Sequence, residues 1–370
     1  MNILIYYQNP YRTIFIESLV ESFIKKGHKV YFLTTCKKGI LHQKIMEMGA
    51  SVETYSPETN KFFQYYKQWL FLIRFCRSNK IDVVYSHLQF ANLIAVCSQY
   101  FIKAKVFPCR HHANDVMLRG NKNASRMDKL VNRLAKKIIV VSNAVKKQLI
   151  EHENTNADKI TVISLGYNFN LYDQPDKDEI SRIKEKMSCH LLLIMIGRMT
   201  INKKHVIALQ AFNKLVKEGF DVKMIIMDEG PEENNLKKYV EDNQLTDKVL
   251  FTGFLDNTMN YLAAADLLLH PSISEASNQV VKEAAILNKP SIVCKGIGDF
   301  DEYIYHRKNG LIVSPENTSE EIYELVKEDY DKKEELKILG KNINIAVLNK
   351  FDIEKVSEQY LNLIIPSDIS

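Results

Sequence analysis

The residues of this chain best suited to chemistry lie in four short loops of its second half, each following an apolar run. The richest is Pro271-Ser-Ile-Ser-Glu275-Ala-Ser-Asn-Gln-Val-Val-Lys-Glu283, directly after Leu267–His270. Ser277 or Asn278 would cap a helix there, and the free N–H groups behind the cap form an anion site. Glu283 then falls one to two turns into the helix, while Glu275 stays in the loop. A carboxylate accepts from the vicinal hydroxyls of a sugar or ribose in a way that amides and hydroxyls do not match. An isolated helical glutamate more often makes an exposed salt bridge, so the surrounding loops must carry the reading.

A second loop, Gly197-Arg198-Met199-Thr200-Ile201-Asn202-Lys203-Lys204-His205, follows the run Leu191–Ile196. Arg198 offers a planar fork and Lys203 a point charge, a combination suited to a diphosphate. At 4 Å and an effective dielectric near 20, each cation–phosphate pair is worth roughly 4 kcal/mol before desolvation. Alone, this segment reads as a solvated basic loop. Met227-Asp228-Glu229-Gly230-Pro231 and Phe251-Thr252-Gly253-Phe254-Leu255-Asp256 are both strand-to-glycine-to-helix turns. The backbone around Phe254 could read the edge of a base.

These loops need a frame that brings strand ends together. Short β-rich runs, from Ile3–Tyr6 to Ile160–Ser164 and again from Leu191–Ile196 to Leu311–Val313, alternate with helix-periodic segments. Those segments include Phe15–Lys26, Phe62–Arg77, Ala91–Phe101 and Arg126–Lys137. The alternation predicts parallel sheets covered on both faces, in which ligands bind beyond the carboxyl ends of the strands. The polar stretch Tyr172–Glu179 interrupts the rhythm and predicts an interdomain linker. The expected architecture is α/β, with two doubly wound Rossmann-like domains at 1–175 and 176–350 facing a central cleft. A last helix, 351–370, is expected to pack back on the first domain.

The 370 residues, 46% of them hydrophobic, suit two globular lobes. The six cysteines lie far apart, and no apolar run reaches the roughly 20 residues of a bilayer crossing. The start, Asn2-Ile3-Leu4-Ile5-Tyr6, lacks a signal peptide's basic opening, and the expected compartment is the cytoplasm. A net charge of +5 conceals an imbalance. Met1–Pro175 holds 25 Lys+Arg against 12 Asp+Glu, the remainder 25 against 33, giving +13 and −8. A basic half points to an anionic partner such as nucleic acid or acidic lipid, or to an uneven solubilising surface. Its basic residues are scattered and no nucleic-acid motif appears, so nucleic acid is not expected. The segment Arg126–Ile138 instead reads as an interfacial helix. Arg126, Lys129, Arg133, Lys136 and Lys137 share one 100° sector, beside Met127, Leu130, Val131, Leu134 and Ile138. A dehydrogenase is disfavoured because no G-x-G-x-x-G follows the first strand.

In this order and spacing the four loops resemble glycosyltransferase family 4, the retaining "group 1" enzymes of the GT-B fold. The matching motifs are Gly197-Arg198…Lys203, Glu229-Gly230-Pro231, Phe251-Thr252-Gly253-Phe254 and Glu275…Glu283-Ala284. Val141-Ser142-Asn143 and Asn309-Gly310 extend the match. The resemblance implies that Arg198 and Lys203 hold the diphosphate of a nucleotide-sugar, with Gly230 and Phe254 in the same donor site. It implies further that Glu283 binds the ribose and Glu275 the donor sugar or its phosphate neighbourhood. The family often places a histidine after its fifth strand near the reacting sugar. In Arg110-His111-His112-Ala113-Asn114-Asp115 that residue is taken as His112, with His111 in reserve.

On the same resemblance the donor is expected to be uridine-linked, with no metal and no cofactor, and the acceptor to be a glycan or lipid-linked. The site of action is expected to be cytoplasmic or peripheral on the inner face of the plasma membrane, in cell-surface polysaccharide or glycolipid synthesis. Asp299-Phe300-Asp301 has the spacing of a metal-binding Asp-x-Asp but lies where this family uses no metal. Three departures stand out. The first loop, Tyr7-Gln8-Asn9-Pro10-Tyr11-Arg12-Thr13, lacks the family's paired glycines. Lys204 replaces a usual glycine, and Ala276-Ser277 occupy a stretch that often holds one. Rival readings are an epimerase or hydrolase of the same shape and a basic nucleic-acid-binding protein.

Overall fold

The structure, a computed structural model, describes residues 1–56, 61–113 and 120–364, without the side chains of 61 and 62. Asn114 and Asp115 of the histidine loop and residues 365–370 of the tail lie outside the described residues. The chain divides into two units: residues 1–171 with 351–370, and residues 172–350. The first ends ahead of Pro175 because the short turn Phe169–Leu171 is bound to it: Arg12 donates to Leu171 O at 2.7 Å and Tyr167 N to Phe351 O at 2.8 Å. Asp176 N instead donates to Asn260 Oδ1 of the second unit.

The first unit holds β1 (Asn2–Tyr7), β2 (Lys29–Thr34), β3 (Ser51–Thr54), β4 (Val83–His87), β5 (Lys105–Arg110), β6 (Ile138–Val140) and β7 (Ile160–Val162). They form a parallel sheet ordered β3-β2-β1-β4-β5-β6-β7. Its helices are α1 (Ile14–Lys25), α2 (Ile40–Glu47), α3 (Lys61–Ser78), α4 (Gln89–Ser98), α5 (Lys122–Leu134) and α6 (Asn143–Glu151). Apart from the edge strands β3 and β7, the strands are largely apolar runs buried on both faces, under one cluster built on α1 and another on α3 and α4.

The second unit repeats the plan with helices α7 (Lys177–Lys186), α8 (His205–Lys217), α9 (Glu233–Asp242), α10 (Thr258–Ala264), α11 (Gln279–Ile286), α12 (Thr318–Asp329) and α13 (Lys333–Lys350). Its strands are β8 (Leu191–Ile196), β9 (Val222–Met227), β10 (Val249–Gly253), β11 (Leu267–His270), β12 (Ser291–Cys294) and β13 (Leu311–Val313). Their order is β10-β9-β8-β11-β12-β13, all parallel. Strand order therefore reverses between β8 and β11, and in the first unit between β1 and β4. Such reversals open the crevice in which doubly wound sheets bind ligands. The last helix, α14 (Ile353–Asn362), packs on α1 and buries Val356 and Tyr360 in the first unit's core; Tyr85 donates to Tyr360 O at 2.5 Å.

The interfacial helix differs from its sequence reading. α5 ends at Leu134, Ala135 is extended, and Ile138 opens β6, so Lys136, Lys137 and Ile138 leave the helical sectors. The chain must straighten there to enter the sheet. The buried face of α5 is Asp128, Val131 and Asn132, whereas Leu130 is 44% exposed beside the exposed Arg126, Lys129 and Arg133. Among the described residues no helix is long and apolar enough to cross a membrane.

Candidate donor-binding site

The loops after β8 and β11 flank the strand-order reversal of the second unit and are joined to each other. Ile273 N donates to Asn202 O at 3.0 Å, as does Ser272 Oγ at 3.2 Å. Across this seam Lys203 Nζ and His270 Nε2 meet one atom, Glu275 Oε1, at 2.5 and 2.7 Å. Burial alone would raise the Glu275 carboxyl, but the His270 and Lys203 contacts outweigh it and hold it far below the ordinary carboxylate range. His270 is itself pushed down by burial, with Glu275 opposing. Arg198, one turn earlier, is exposed, and its side chain makes no hydrogen bond or ion pair among the described residues. Lys203 and Arg198 thus present two cations at one strand end.

The remaining loops are fixed by backbone contacts. Met199 N donates to Glu229 O at 3.0 Å, Glu232 N to Met199 O at 3.0 Å, and Gly197 N to Met227 O at 3.2 Å. Gly230 stands so close to Met199 that a Cβ would lie 2.4 Å from its carbonyl oxygen. Any side chain there would part the loops that follow β8 and β9. Asp228 N reaches Gly253 O at 2.9 Å, linking in the turn after β10, where Phe254 is 64% exposed.

Asn278 caps α11 through its side chain, which accepts from Val281 N at 3.0 Å. Glu283 lies inside this helix, buried, with Oε1 accepting from Gln279 Nε2 at 2.7 Å. Burial raises its carboxyl above the ordinary range, with the Gln279 contact opposing. The free protein therefore holds a carboxylate desolvated and under-bonded, ready to accept from hydroxyls. Gly298, at φ +59, backs the other carboxylate: a Cβ there would meet Glu275 Cβ at 2.9 Å.

Sequence reasoning passed over three groups. His270 is a polar residue ending an apolar run, the signal by which it could have been found. His205 opens α8 buried, its ring pushed down to about 4 by burial and by His270 and Lys203, and Nδ1 has no hydrogen-bond partner among the described residues. Lys282, fully buried, pairs with Asp299 at 2.8 Å. Asp301 Oδ2 accepts from Gly296 N at 2.8 Å, so both aspartates of the Asp-x-Asp triplet have structural partners. Among the described residues no cluster of three or more His, Cys, Asp or Glu side chains is gathered for a metal.

In the first unit the two candidate histidines part company. His112 Nε2 contacts Asp128 Oδ2 at 2.8 Å, within a buried network in which Arg110 pairs with Asp128 at 2.9 Å and Glu153 at 2.8 Å. His111 Nε2 meets His87 Nδ1 at 2.8 Å, at the carboxyl ends of β4 and β5, with the Phe15 ring 5.1 Å away. Burial and the neighbouring His112 push His111 down to about 3. In the first loop, where glycines are missing, Gln8 Oε1 accepts from Phe90 N at 3.1 Å and Arg12 lies 3.7 Å from Glu17.

Comparison with known proteins identifies the family and the fold. Residues 176–344 match the model of glycosyl transferases group 1 and residues 13–171 that of glycosyltransferase family 4. The chain is 24% identical over 355 residues to N-acetyl-alpha-D-glucosaminyl L-malate synthase of Bacillus anthracis, covering 91% of this chain and 88% of that protein. It is likewise 24% identical to the phosphatidylinositol N-acetylglucosaminyltransferase GPI3 subunit of Saccharomyces cerevisiae, over 82% of this chain and 68% of the other. Anabaena HepE, solved in complex with UDP-glucose, superposes with a TM-score of 0.83 at 18% identity, covering 98% and 99% of the two chains. The fold is GT-B, and with matches running through both units the chain belongs to glycosyltransferase family 4, as a glycosyltransferase.

Proposed function

We propose that the protein transfers a sugar from a UDP-linked donor, held by the second unit, to a glycan or lipid-linked acceptor, with retention at the anomeric carbon. The observation that carries the reading is the convergence of Lys203, His270 and Glu275 at the β8/β11 reversal, beside the capped start of α11. Arg198, Lys203 and the α11 N-terminus neutralise the diphosphate as it leaves, the moment at which charge stabilisation lowers the barrier. For this, Lys203 exchanges its Glu275 partner for phosphate, and Glu275 turns to the hydroxyls of the donor sugar or its phosphate neighbourhood. Glu283 accepts from the ribose, and Gly230 and Phe254 border the nucleotide. His111, uncharged and at a strand end, is better placed than His112 to stand beside the reacting sugar. With the diphosphate charge met by cations and a helix end, transfer needs no metal and should survive excess EDTA.

The uridine base is supported by HepE, whose complexes hold UDP and UDP-glucose. A lipid-linked acceptor is supported by the phosphatidylinositol named in the yeast relative. The exposed Arg126, Lys129 and Arg133 around Leu130 supply an anionic-membrane contact, at about 1 kcal/mol per basic residue near an acidic leaflet. This fits a cytoplasmic or peripheral enzyme of cell-surface polysaccharide or glycolipid synthesis. The deciding experiment is a screen of nucleotides and nucleotide-sugars for thermal stabilisation. UDP and a UDP-sugar should raise Tm above all other nucleotides, and a flat response across the set would end the donor reading.

A further inference from the structure

One buried ion pair lies behind the donor loops, in contact with the one that follows β11. Lys282 and Asp299 have no solvent exposure, and Nζ stands 2.8 Å from Asp299 Oδ2. The ammonium also donates to Asn278 O at 2.9 Å and to Ser277 Oγ at 3.0 Å, while Ser277 Oγ donates to Asp299 Oδ2 at 2.6 Å. Ser277 and Asn278 lie between Glu275 and Glu283, Lys282 is the residue before Glu283, and Asp299 follows Gly298, which abuts Glu275.

We propose that the Lys282–Asp299 pair is a positioning strut that fixes Glu275 and Glu283 relative to each other for nucleotide binding. The inference rests on the donor-site reading above. Three costs coincide at this point. Apolar residues of similar volume commonly serve a core as well as a buried ion pair or better. An ammonium folded onto the first turn of a helix opposes the helix dipole. Asp299 Oδ1 is buried with no hydrogen-bond partner among the described residues. Burial also pulls the Lys282 ammonium downward, with Asp299 opposing. In return the pair ties three backbone segments: the Glu275 loop, the first turn of α11 and the loop after β12. Both carboxylates ride on what it ties, so a shift there reaches them at once.

The test is calorimetric titration of the full-length protein with UDP, alongside its Tm. Lys282→Leu alone should lower Tm sharply by leaving the Asp299 carboxylate buried without its cation. The double variant Lys282→Leu/Asp299→Leu should regain most of that Tm yet bind UDP at least about tenfold more weakly, as a small misplacement of binding groups requires. Ser277→Ala, which removes only the bridging hydroxyl, should keep Tm and weaken UDP about threefold. Wild-type UDP affinity in a double variant of normal Tm would show the pair to be core filling and overturn the proposal. Should the double variant not fold, unchanged affinity in Ser277→Ala overturns it equally. A wild-type protein that binds no nucleotide would remove the donor reading itself, and the strut with it.

Discussion

The strand-end sites of the two units are built in opposite ways. In the second, charges of both signs converge on one atom, Glu275 Oε1, with Arg198 exposed beside them and Glu283 desolvated behind. In the first, the charges are used internally: Arg110, Asp128, Glu153 and His112 bind one another, leaving the uncharged His87–His111 pair at the strand ends. A site with an exposed guanidinium and a desolvated carboxylate is suited to a charged ligand. A site of neutral rings is suited to an uncharged one. The sheets are near copies, so what separates the two strand-end sites is which charges are already used within the unit.

The largest effect that could break this contrast is on Lys203 and Glu283. Lys203→Ala or Glu283→Ala should lower turnover by 100-fold or more, since the proposed function gives each a partner on the donor. Turnover at the wild-type level in either folded variant would take that residue out of the site. Glu283→Gln sharpens the point because stability should move the other way. Burial raises the folded-state value of this carboxyl, so ionising it costs stability as pH climbs above the ordinary glutamate value of about 4.3. Below that pH both folded and unfolded chains carry the proton and no cost arises. Glu283→Gln should therefore raise Tm at pH 7, lose that advantage near pH 4, and bind UDP more weakly at either pH.

Next in size is the division between the histidines. His111→Ala should cost turnover about 100-fold, the usual worth of a group beside the reacting centre, with a smaller change in Tm. His112→Ala should cost about 1–3 kcal/mol of stability by removing one partner of buried Asp128, read as a Tm drop of several degrees, with turnover less affected. The reverse pattern would return the reacting-sugar role to His112.

The second half was readable because its motifs are charged residues at strand ends, and the strands are runs such as Leu191–Ile196 that have no other use for their pattern. Every strand was legible for the same reason. Four things were not. The His270 contact with Glu275 joins a strand end to a loop, and periodicity says nothing of that join. Lys282 and Asp299 are distant in sequence and read as surface charges until a fold buries both. The α5 helix read too long because Lys136 and Lys137 continue its angular pattern, whereas the demand of β6 for an extended chain ends it at Leu134. His111 and His112 are neighbours of one type, and only their partners, His87 and Asp128, tell them apart.

The smallest effect concerns strain, and it sets the two units side by side once more. Lys204, where the family usually has glycine, adopts the left-handed conformation with φ 58 between the Lys203 turn and α8. Leu88, after His87, is also at positive φ, 72, with ψ 160, a region nearly confined to glycine. Each carries a backbone cost of about 1–2 kcal/mol that glycine would relieve, less the 0.5–1 kcal/mol of extra freedom glycine gives the unfolded chain. For Lys204, half-exposed and making no side-chain contact that the core needs, the balance favours glycine. Lys204→Gly should stabilise by about 0.5–1 kcal/mol and leave UDP affinity as it was. Leu88 packs on the core of the first unit, and burying a leucine side chain is worth about 1.5–3 kcal/mol. There Leu88→Gly should destabilise, by about 1 kcal/mol or more. Chemical denaturation of the two single variants decides it. A gain at Leu88 would mean that the strain beside His87 exceeds the packing it permits, and a loss at Lys204 would mean that the lysine side chain supports the loop that carries Lys203.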